Sequence, residues 1–165
     1  MAVKPVNTVS NPEQRDYLFA KAIPVKDSAD VLQLINDLVD TADSCRPNCL
    51  GLAANQIWDG DVDAIPSVCV IYWAGVQPDN SDRWKVFINP TGNSSGPHIK
   101  DIEGCLSFPG KLPKMVKREK SFTVNYMGLD NIPDTLKVTK ELARALQHEI
   151  DHLRGRVIYG KDEYR

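Results

Sequence analysis

The stretch TKELARALQHEIDHLRG, residues 139–155, shows the clearest helical pattern in the sequence. At about 100° per residue, one narrow stripe of such a helix holds three leucines and a glutamate: Leu142, Leu146, Glu149 and Leu153. Thr139 is a favourable N-cap residue, and Gly155 is of the type that commonly follows the last turn. We therefore predict a helix that starts at Thr139, ends before Gly155 and buries this stripe.

The same helix carries two histidines and a glutamate in the order His-Glu-x-x-His. His148 and His152 are four residues apart, which places them about one turn apart on one helix face. Glu149 points into the apolar stripe, where a buried carboxylate is costly unless a cation or a metal compensates it. A single helical histidine is more often a hydrogen-bonded core or surface residue, but this combination favours a metal site.

A catalytic site of the zinc type usually takes three protein ligands and leaves a fourth position for water. The segment DIEGCLSFPG, residues 101–110, offers Cys105, next to Gly104, which permits close backbone approach, and to a Ser-Phe-Pro-Gly turn. The competing ligands are four carboxylates and one histidine: Asp59, Asp61, Asp63, Glu103 and His98. The carboxylates at 59–63 are more typical of a solvated turn, but spacing alone does not choose between Cys105 and His98.

The composition is typical of one globular domain that spans residues 1–165. The 20 lysines and arginines nearly balance the 22 aspartates and glutamates, and no basic tract indicates direct contact with nucleic acid. No apolar run approaches the roughly 20 residues of a membrane span. The first residues also lack the apolar segment of a secretory signal. We therefore expect a soluble cytoplasmic protein without a membrane partner.

An α+β fold is predicted, with antiparallel strands packed around the C-terminal helix that carries the His-Glu-x-x-His motif. A second helix is predicted from Ser28, its N-cap, to about Cys45, because four apolar residues share one face: Val31, Ile35, Leu38 and Val39. The strand-like segments are SVCVIYW (67–73), RWKVFINP (83–90) and SFTVNYM (121–127). RWKVFINP should end at Asn-Pro-Thr-Gly, a loop is expected over 92–98, and GLDN (128–131) predicts a hairpin turn.

The four cysteines are expected to have different environments. Cys69 lies in an apolar run and is predicted to be a core residue. Cys45 and Cys49 flank Arg-Pro-Asn, and their spacing is a weak indication of a metal or redox pair. Ordinary thiols beside a turn are the favoured interpretation.

Three separated segments resemble the signature motifs of the peptide deformylase family: GLAANQ at 51–56, EGCLS at 103–107 and QHEIDH at 147–152. They occur in the order that the family has, and the similarity covers about residues 27–160. Because three motifs in order are far more specific than any one of them, the sequence is identified as a member of this family.

Membership implies one divalent metal ion bound by Cys105, His148 and His152. Fe²⁺ is the implied native metal, and Zn²⁺, Ni²⁺ or Co²⁺ also suits a thiolate with two imidazoles. The implied reaction removes the formyl group from the initiator methionine of newly made proteins and releases formate. The implied partners are therefore the N-formyl-Met peptides of nascent chains.

The resemblance also assigns roles to other residues. Glu149 is the implied acid and base, which takes a proton from water and protonates the departing amine. The side-chain amide of Gln56 and the backbone N–H of Leu106 are the implied donors to the developing oxyanion. Glu103 and Arg118 are implied to form a structural ion pair behind the site.

Three further positions are expected to contact substrate. Gly51 should let the substrate backbone approach closely and offer main-chain hydrogen bonds. The methionine pocket should be apolar, and its candidate residues are Leu52, Ala145 and the ring of His148.

Two features depart from the family pattern. Cys49 stands two residues before Gly51, where the family usually has glycine, so the local geometry of the first motif should differ. The sequence ends ten residues after Gly155, whereas many relatives carry a C-terminal extension that in some docks on the ribosome. Ribosome docking of that kind is therefore not expected, and the compact form resembles phage-encoded members acting in a host cytoplasm.

Two other function classes are considered. A metallopeptidase that cuts internal peptide bonds would more often show a third histidine or a glutamate downstream of the helix. A non-catalytic relative that only binds a metal is the other alternative. Against it, the three implied ligands, Glu149 and Gln56 are all present.

Overall fold

The computed structural model of the protein describes residues 2–73, 83–94 and 96–160. The α-helices are α1 (Pro12–Phe19), α2 (Leu32–Ser44) and α3 (Lys140–Leu153). The strands are β1 (Gly51–Ala53), β2 (Val68–Tyr72), β3 (Trp84–Ser94), β4 (His98–Glu103), β5 (Lys114–Glu119), β6 (Ser121–Met127) and β7 (Pro133–Thr139). The fold is α+β, as predicted. No helix within the described residues is long and apolar enough to cross a bilayer.

The strands form two antiparallel sheets. One has five strands in the order β1-β2-β3-β6-β7, and the other is the β4–β5 pair. Helix α3 packs on the larger sheet through a common core that contains Leu146, Ile150, Leu153, Phe87 and Val124. Burial of each such side chain contributes about 1.5–3 kcal/mol, so this core fixes the helix relative to the sheet.

Helix α3 confirms the prediction for the C-terminal stretch. It ends at Leu153, and Gly155 adopts a φ of 67°, where a Cβ atom would lie 2.4 Å from the carbonyl oxygen of Phe19. Glycine is therefore required at this position. Thr139 occupies the N-cap position, but its side chain makes no capping hydrogen bond. Leu142 is only half-buried, whereas the other three members of the predicted stripe are buried.

The predicted start of the second helix is wrong by a few residues. Asp27 caps a 3₁₀ turn over Ser28–Val31, and the α-helix α2 follows from Leu32. Ser28 is not the cap, because its hydroxyl donates to the carbonyl oxygen of Leu129 at 2.7 Å in the turn between β6 and β7. The predicted apolar face is confirmed: Val31, Ile35 and Leu38 are buried and Val39 is half-buried.

Strand β3 also differs from its predicted extent. It does not end at Asn-Pro-Thr-Gly but continues to Ser94 across a register irregularity between Ile88 and Thr91. Asn89 takes a φ of 51° at this irregularity, and its side-chain amide bonds both the N–H and the C=O of Val25. These bonds stabilise a left-handed residue inside the strand. Ser95, within the loop predicted over 92–98, lies outside the described residues, and the loop is shorter than predicted.

Candidate metal centre and active site

Three side chains that could ligate a metal converge between the two sheets. Cys105 lies two residues after the end of β4, and His148 and His152 lie on α3; their ligand atoms are all within 4.8 Å of one another. The Cys105 Sγ and His152 Nε2 atoms are 3.3 Å apart. A tetrahedral ion with ordinary metal–sulfur and metal–nitrogen bonds separates its donor atoms by roughly 3.5 Å, so this set fits one ion.

Apart from Glu103, which lies 3.0 Å from His148 Nδ1, the competing ligands are engaged in other contacts. The ring of His98 is 44% exposed and its Nε2 is 4.0 Å from a Glu119 oxygen. Asp59 pairs with Lys4, and Asp61 caps the turn that also carries Asp63. Among the described residues, only Cys105, His148 and His152 form a group of this kind. The structure thus brings together the three ligands that the resemblance implies.

The two histidines have opposite electrostatic environments. Burial lowers the pKa of His152 well below its usual value, which keeps the ring neutral as a metal ligand requires. Burial also lowers the pKa of His148, but its hydrogen bonds with Cys105 and Glu103 outweigh burial and raise the pKa to about 10. The negative groups that favour a proton on His148 would equally favour a bound cation.

A buried ion-pair network holds His148 from behind. Glu103 accepts two hydrogen bonds from the Arg118 guanidinium, both at 3.0 Å, and lies 3.0 Å from His148 Nδ1. Arg118 also bonds Asp151 on α3. Burial acts to raise the pKa of Glu103, but the bonds from His148 and Arg118 outweigh it and lower the pKa to about 2. The predicted Glu103–Arg118 pair is therefore present, and a metal-ligating histidine is commonly oriented by such a carboxylate.

Glu149 is buried in the wall of a cavity that Cys105 and His148 also line. It is 4% exposed, and its Oε2 atom has no hydrogen-bond partner among the described residues. Burial is the largest cause that raises the pKa of this carboxyl to about 7. A carboxyl group with a pKa near neutrality can both accept and return a proton, as a general base and acid must.

The side-chain amide of Gln56 has a defined orientation. Its Oε1 atom accepts a hydrogen bond from the Ala53 N–H at 3.0 Å, so its NH₂ group faces the other way. That group donates to Ser107 Oγ at 3.2 Å and lies 3.9 Å from Cys105 Sγ. Leu106 follows Cys105 and lines the same cavity. Both predicted oxyanion donors are thus beside the candidate metal ligands.

A cavity of about 460 Å³ opens onto these groups. Its lining comes from the segment that leads into β1, from the turn after β1, from the end of β4 and the residues that follow it, and from α3: Asn48, Cys49, Leu50, Gly51, Gln56, Ile102, Glu103, Gly104, Cys105, Leu106, Lys111, Arg144, Ala145, His148 and Glu149. Gly51 and Ala145, two of the predicted substrate contacts, are among these lining residues. Leu52 is not, because its side chain is fully buried in the core between α2 and β2 and does not line the cavity.

The glycines of the two motifs differ in their surroundings. A Cβ atom at Gly51 would lie 2.8 Å from Glu149 Cγ and Oε1 and from Ile71 Cδ1, so any side chain there would have to displace Glu149 and Ile71. At Gly104 a Cβ atom would meet nothing within 4 Å, so the close approach expected there is not found. Sequence reasoning missed Leu50 and Ile102 as cavity residues; the available signal was that each directly precedes a predicted site residue, Gly51 or Glu103.

All four cysteines are free thiols. Cys69 is fully buried in the core, as predicted. Cys49 is 2% exposed, and its Sγ donates to the Gly51 carbonyl oxygen at 3.2 Å. Burial raises the pKa of the Cys49 thiol to about 12, which keeps it protonated as this donor. The departure from glycine at this position thus adds a hydrogen bond to the first motif.

The comparisons with known proteins all find deformylases. The sequence pattern described as "Polypeptide deformylase" matches residues 3–162. A "Peptide deformylase" of Wolbachia sp. subsp. Drosophila simulans is 34% identical over 94% of this chain and 84% of its own length. A class I type b peptide deformylase from Acinetobacter baumannii superimposes with a TM-score of 0.77 at 25% identity, over 95% of this chain and 97% of its own.

A phage protein of nearly the same extent gives a similar superposition. The crystal structure of a probable peptide deformylase from synechococcus phage S-SSM7 has a TM-score of 0.78 and 25% identity. The match covers 99% of this chain and 100% of that one. With the sequence pattern matched over nearly the whole length, the chain belongs to the polypeptide deformylase family.

Proposed function

We propose that this protein removes the N-formyl group from the initiator methionine of newly made polypeptides and releases formate. The observation that carries the proposal is one cavity lined by Cys105, His148 and a buried glutamate with an unpartnered oxygen, with a His152 ligand atom within 4.8 Å of those of Cys105 and His148. Family membership over nearly the whole chain supports the same reaction. Because such substrates arise at the ribosome, we expect the protein to act in the cytoplasm as one catalytic domain.

The proposed ligands of the single divalent ion are Cys105, His148 and His152. Fe²⁺ is the proposed native metal, and Zn²⁺, Ni²⁺ or Co²⁺ suits the same thiolate and imidazoles. A bound ion would supply a Lewis acid and lower the pKa of a water molecule. Glu103 and Arg118 hold His148 in place for this role.

Glu149 is the proposed carrier of the proton. It takes a proton from the attacking water and returns it to the amine nitrogen as the bond to the formyl carbon breaks. Its pKa of about 7 suits both steps near neutral pH. The formyl peptide and one water molecule give formate and a protonated amino terminus, and the Glu149 carboxylate is regenerated, so no proton is gained or lost by the enzyme.

Gln56 and Leu106 are the proposed donors to the oxygen of the formyl group. Negative charge develops on that oxygen after attack, and a fixed donor stabilises it without reorganisation. The Gln56 NH₂ group is held toward Cys105 by the Ala53 N–H on its other side. The backbone N–H of Leu106 is the second proposed donor.

The cavity is the proposed site for the methionine side chain. Leu50, Ala145 and the ring of His148 contribute walls that suit an apolar, flexible thioether. Leu50 replaces Leu52 in this proposal, since Leu52 does not reach the cavity. Gly51 is the proposed place where the substrate backbone approaches.

The test uses iron-loaded protein prepared without oxygen and three peptides: formyl-Met-Ala, acetyl-Met-Ala and an unblocked peptide with internal bonds. We expect formate from the first peptide, with far slower release of acetate from the second because the larger group must fit the same space. Cleavage of the third peptide in the absence of formate release would instead support a metallopeptidase.

A further inference from the structure

One face of the β4–β5 hairpin is exposed and carries two lysines and two apolar side chains. In the register of this hairpin, Lys100 lies opposite Lys117 and Ile102 lies opposite Met115. Side chains two residues apart in a strand share a face, so these four residues form one surface, named here the hairpin face. Ile102 and Met115 are each 57% exposed, and both lysines are exposed.

The lysine pair is unfavourable without a partner. Like charges directly opposite each other destabilise an antiparallel pair of strands. The nearby carboxylates are used elsewhere: Asp101 bonds Arg144, and Glu103 bonds Arg118. Within the ranges that the structure describes, no carboxylate pairs with Lys100 or Lys117. An anionic group bound between the two lysines would relieve this repulsion.

The hairpin face is continuous with the cavity. Ile102 belongs to both, because it lines the cavity and stands on the hairpin face beside Met115. A peptide whose first residue fills the cavity and which leaves past this rim meets the apolar pair first. The lysine pair follows two strand residues farther along, or roughly 7 Å.

We propose that the hairpin face binds the part of the substrate that follows formylmethionine, and that it favours an acidic side chain there. This inference rests on the proposed function. In an extended peptide, alternate side chains point the same way, so an apolar side chain over Ile102 and Met115 places the one two residues later over the lysines. Lys100 and Lys117 are therefore specificity residues for the downstream sequence.

The test is a peptide scan with formate release as the readout. Each peptide is formyl-Met followed by alanines, with a single glutamate or lysine at one of positions three to six. We expect wild-type protein to prefer glutamate at one or two adjacent positions, through a lower KM with little change in kcat. Exposed charge pairs of this kind change affinity by about two- to fivefold each, and the preference should shrink as salt is added.

Substitutions of the two lysines test whether the hairpin face causes the preference. Lys100→Ala/Lys117→Ala should abolish the glutamate preference, and Lys100→Glu/Lys117→Glu should reverse it. Lys137→Ala, on β7 of the other sheet, is the matched control and should keep the preference. All of these variants should deformylate the dipeptide formyl-Met-Ala at the wild-type rate, since that substrate is too short to reach the lysines.

Two results would overturn the proposal: equal kcat/KM for glutamate and lysine peptides at every position, or a preference unchanged in Lys100→Ala/Lys117→Ala. In the second case, weaker binding of that variant to RNA would assign the lysines to nucleic acid. Failure of wild-type protein to release formate from formyl-Met-Ala is a separate result, which would refute the proposed function itself.

Discussion

At the scale of single residues, Gln56 shows how a side chain is aimed by its neighbour. The Ala53 N–H occupies Oε1, so the two donor hydrogens on Nε2 are turned toward Ser107 and the candidate metal ligand Cys105. Gln56 is 2% exposed, so little conformational freedom remains. A donor fixed in this way acts on charge that appears during the reaction more than on the bound substrate.

Gln56→Ala should therefore lower kcat with little change in KM. Loss of one such donor costs on the order of 3 kcal/mol, or roughly 10²-fold or more in kcat. The measurement is kcat, KM and melting temperature at full metal occupancy. A large rise in KM with kcat unchanged would contradict the role, and a common loss of stability, metal and activity would indicate a structural residue.

The cysteines give a prediction about reactivity. Burial raises the pKa of Cys49 to about 12 and that of Cys69 well above its usual value, so neither forms the reactive thiolate near pH 8. We expect alkylation of native protein at Cys45, which is partly exposed, and none at Cys49 or Cys69 even at pH 10. Denatured protein, in which all four cysteines should react, is the control. Rapid labelling of Cys49 in folded protein would contradict its placement.

At the scale of elements, strand β1 and helix α3 meet at Gly51 and Glu149. A Cβ atom on Gly51 would lie 2.8 Å from Glu149 Oε1 and Cγ, so it must displace the carboxylate. Misplacement of a catalytic group by about 1 Å can cost on the order of 10²-fold in rate. The approach of β1 to α3 thus sets the position of the proposed proton carrier.

Gly51→Ala should lose about 10²-fold in kcat while it retains metal, because the ligands are not displaced directly. Gly96→Ala is the matched control, since a Cβ atom there would come no closer than 3.8 Å to Ser121. Metal content, circular dichroism and kcat are measured for both. Normal turnover by Gly51→Ala would show that the position of Glu149 is less restricted than the structure indicates.

The elements also show which parts of the fold were predictable. Helix α3 and strands β2 and β6 have apolar patterns that their burial requires. Strands β4 and β5 lack such a pattern, because the face turned inward carries the ion-paired Glu103 and Arg118. The three-residue strand β1 is too short to show a period. The cap of the first turn was misassigned because Asp27 and Ser28 are both good caps, and the choice depends on the distant Leu129.

At the scale of the whole molecule, one ion-pair network joins the β4–β5 sheet to helix α3. Glu103 on β4 and Asp151 on α3 both bond Arg118 on β5. Arg118 is 8% exposed and Glu103 is 6% exposed. Removal of one member of a buried pair leaves the other charge unpaired, which costs about 3–5 kcal/mol.

Arg118→Met should therefore lower the free energy of unfolding by about 3 kcal/mol or more. Arg144→Met is the matched control, because its partner Asp101 is 51% exposed and such a pair contributes at most about 1 kcal/mol. Denaturant unfolding of metal-loaded protein measures both. Equal effects of the two substitutions would show that the buried network contributes no more to stability than the exposed Arg144–Asp101 pair. Glu103→Gln in the Arg118→Met background should recover part of the loss.

The residues of the candidate site that lie within the three motifs were predictable from the sequence. The three motifs are separated in the chain, yet Gln56, Cys105, His148 and Glu149 line one cavity, and a His152 ligand atom lies within 4.8 Å of those of Cys105 and His148. The apolar lining was not predictable in the same way. Leu50 and Leu52 are the same residue type, and their positions relative to β1 separate them: Leu52 lies inside the strand opposite Val70 and is buried in the core, whereas Leu50 precedes the strand and lines the cavity.

The most direct test of the proposed mechanism is formate release from formyl-Met-Ala by wild-type and Glu149→Ala protein with equal measured iron content. We expect rapid release by the wild type and a kcat about 10²–10⁴-fold lower for Glu149→Ala, because only the proton carrier is removed. Equal rates for the two proteins at equal metal content would contradict the role of Glu149. Absence of formate from fully loaded wild-type protein would contradict the deformylase function.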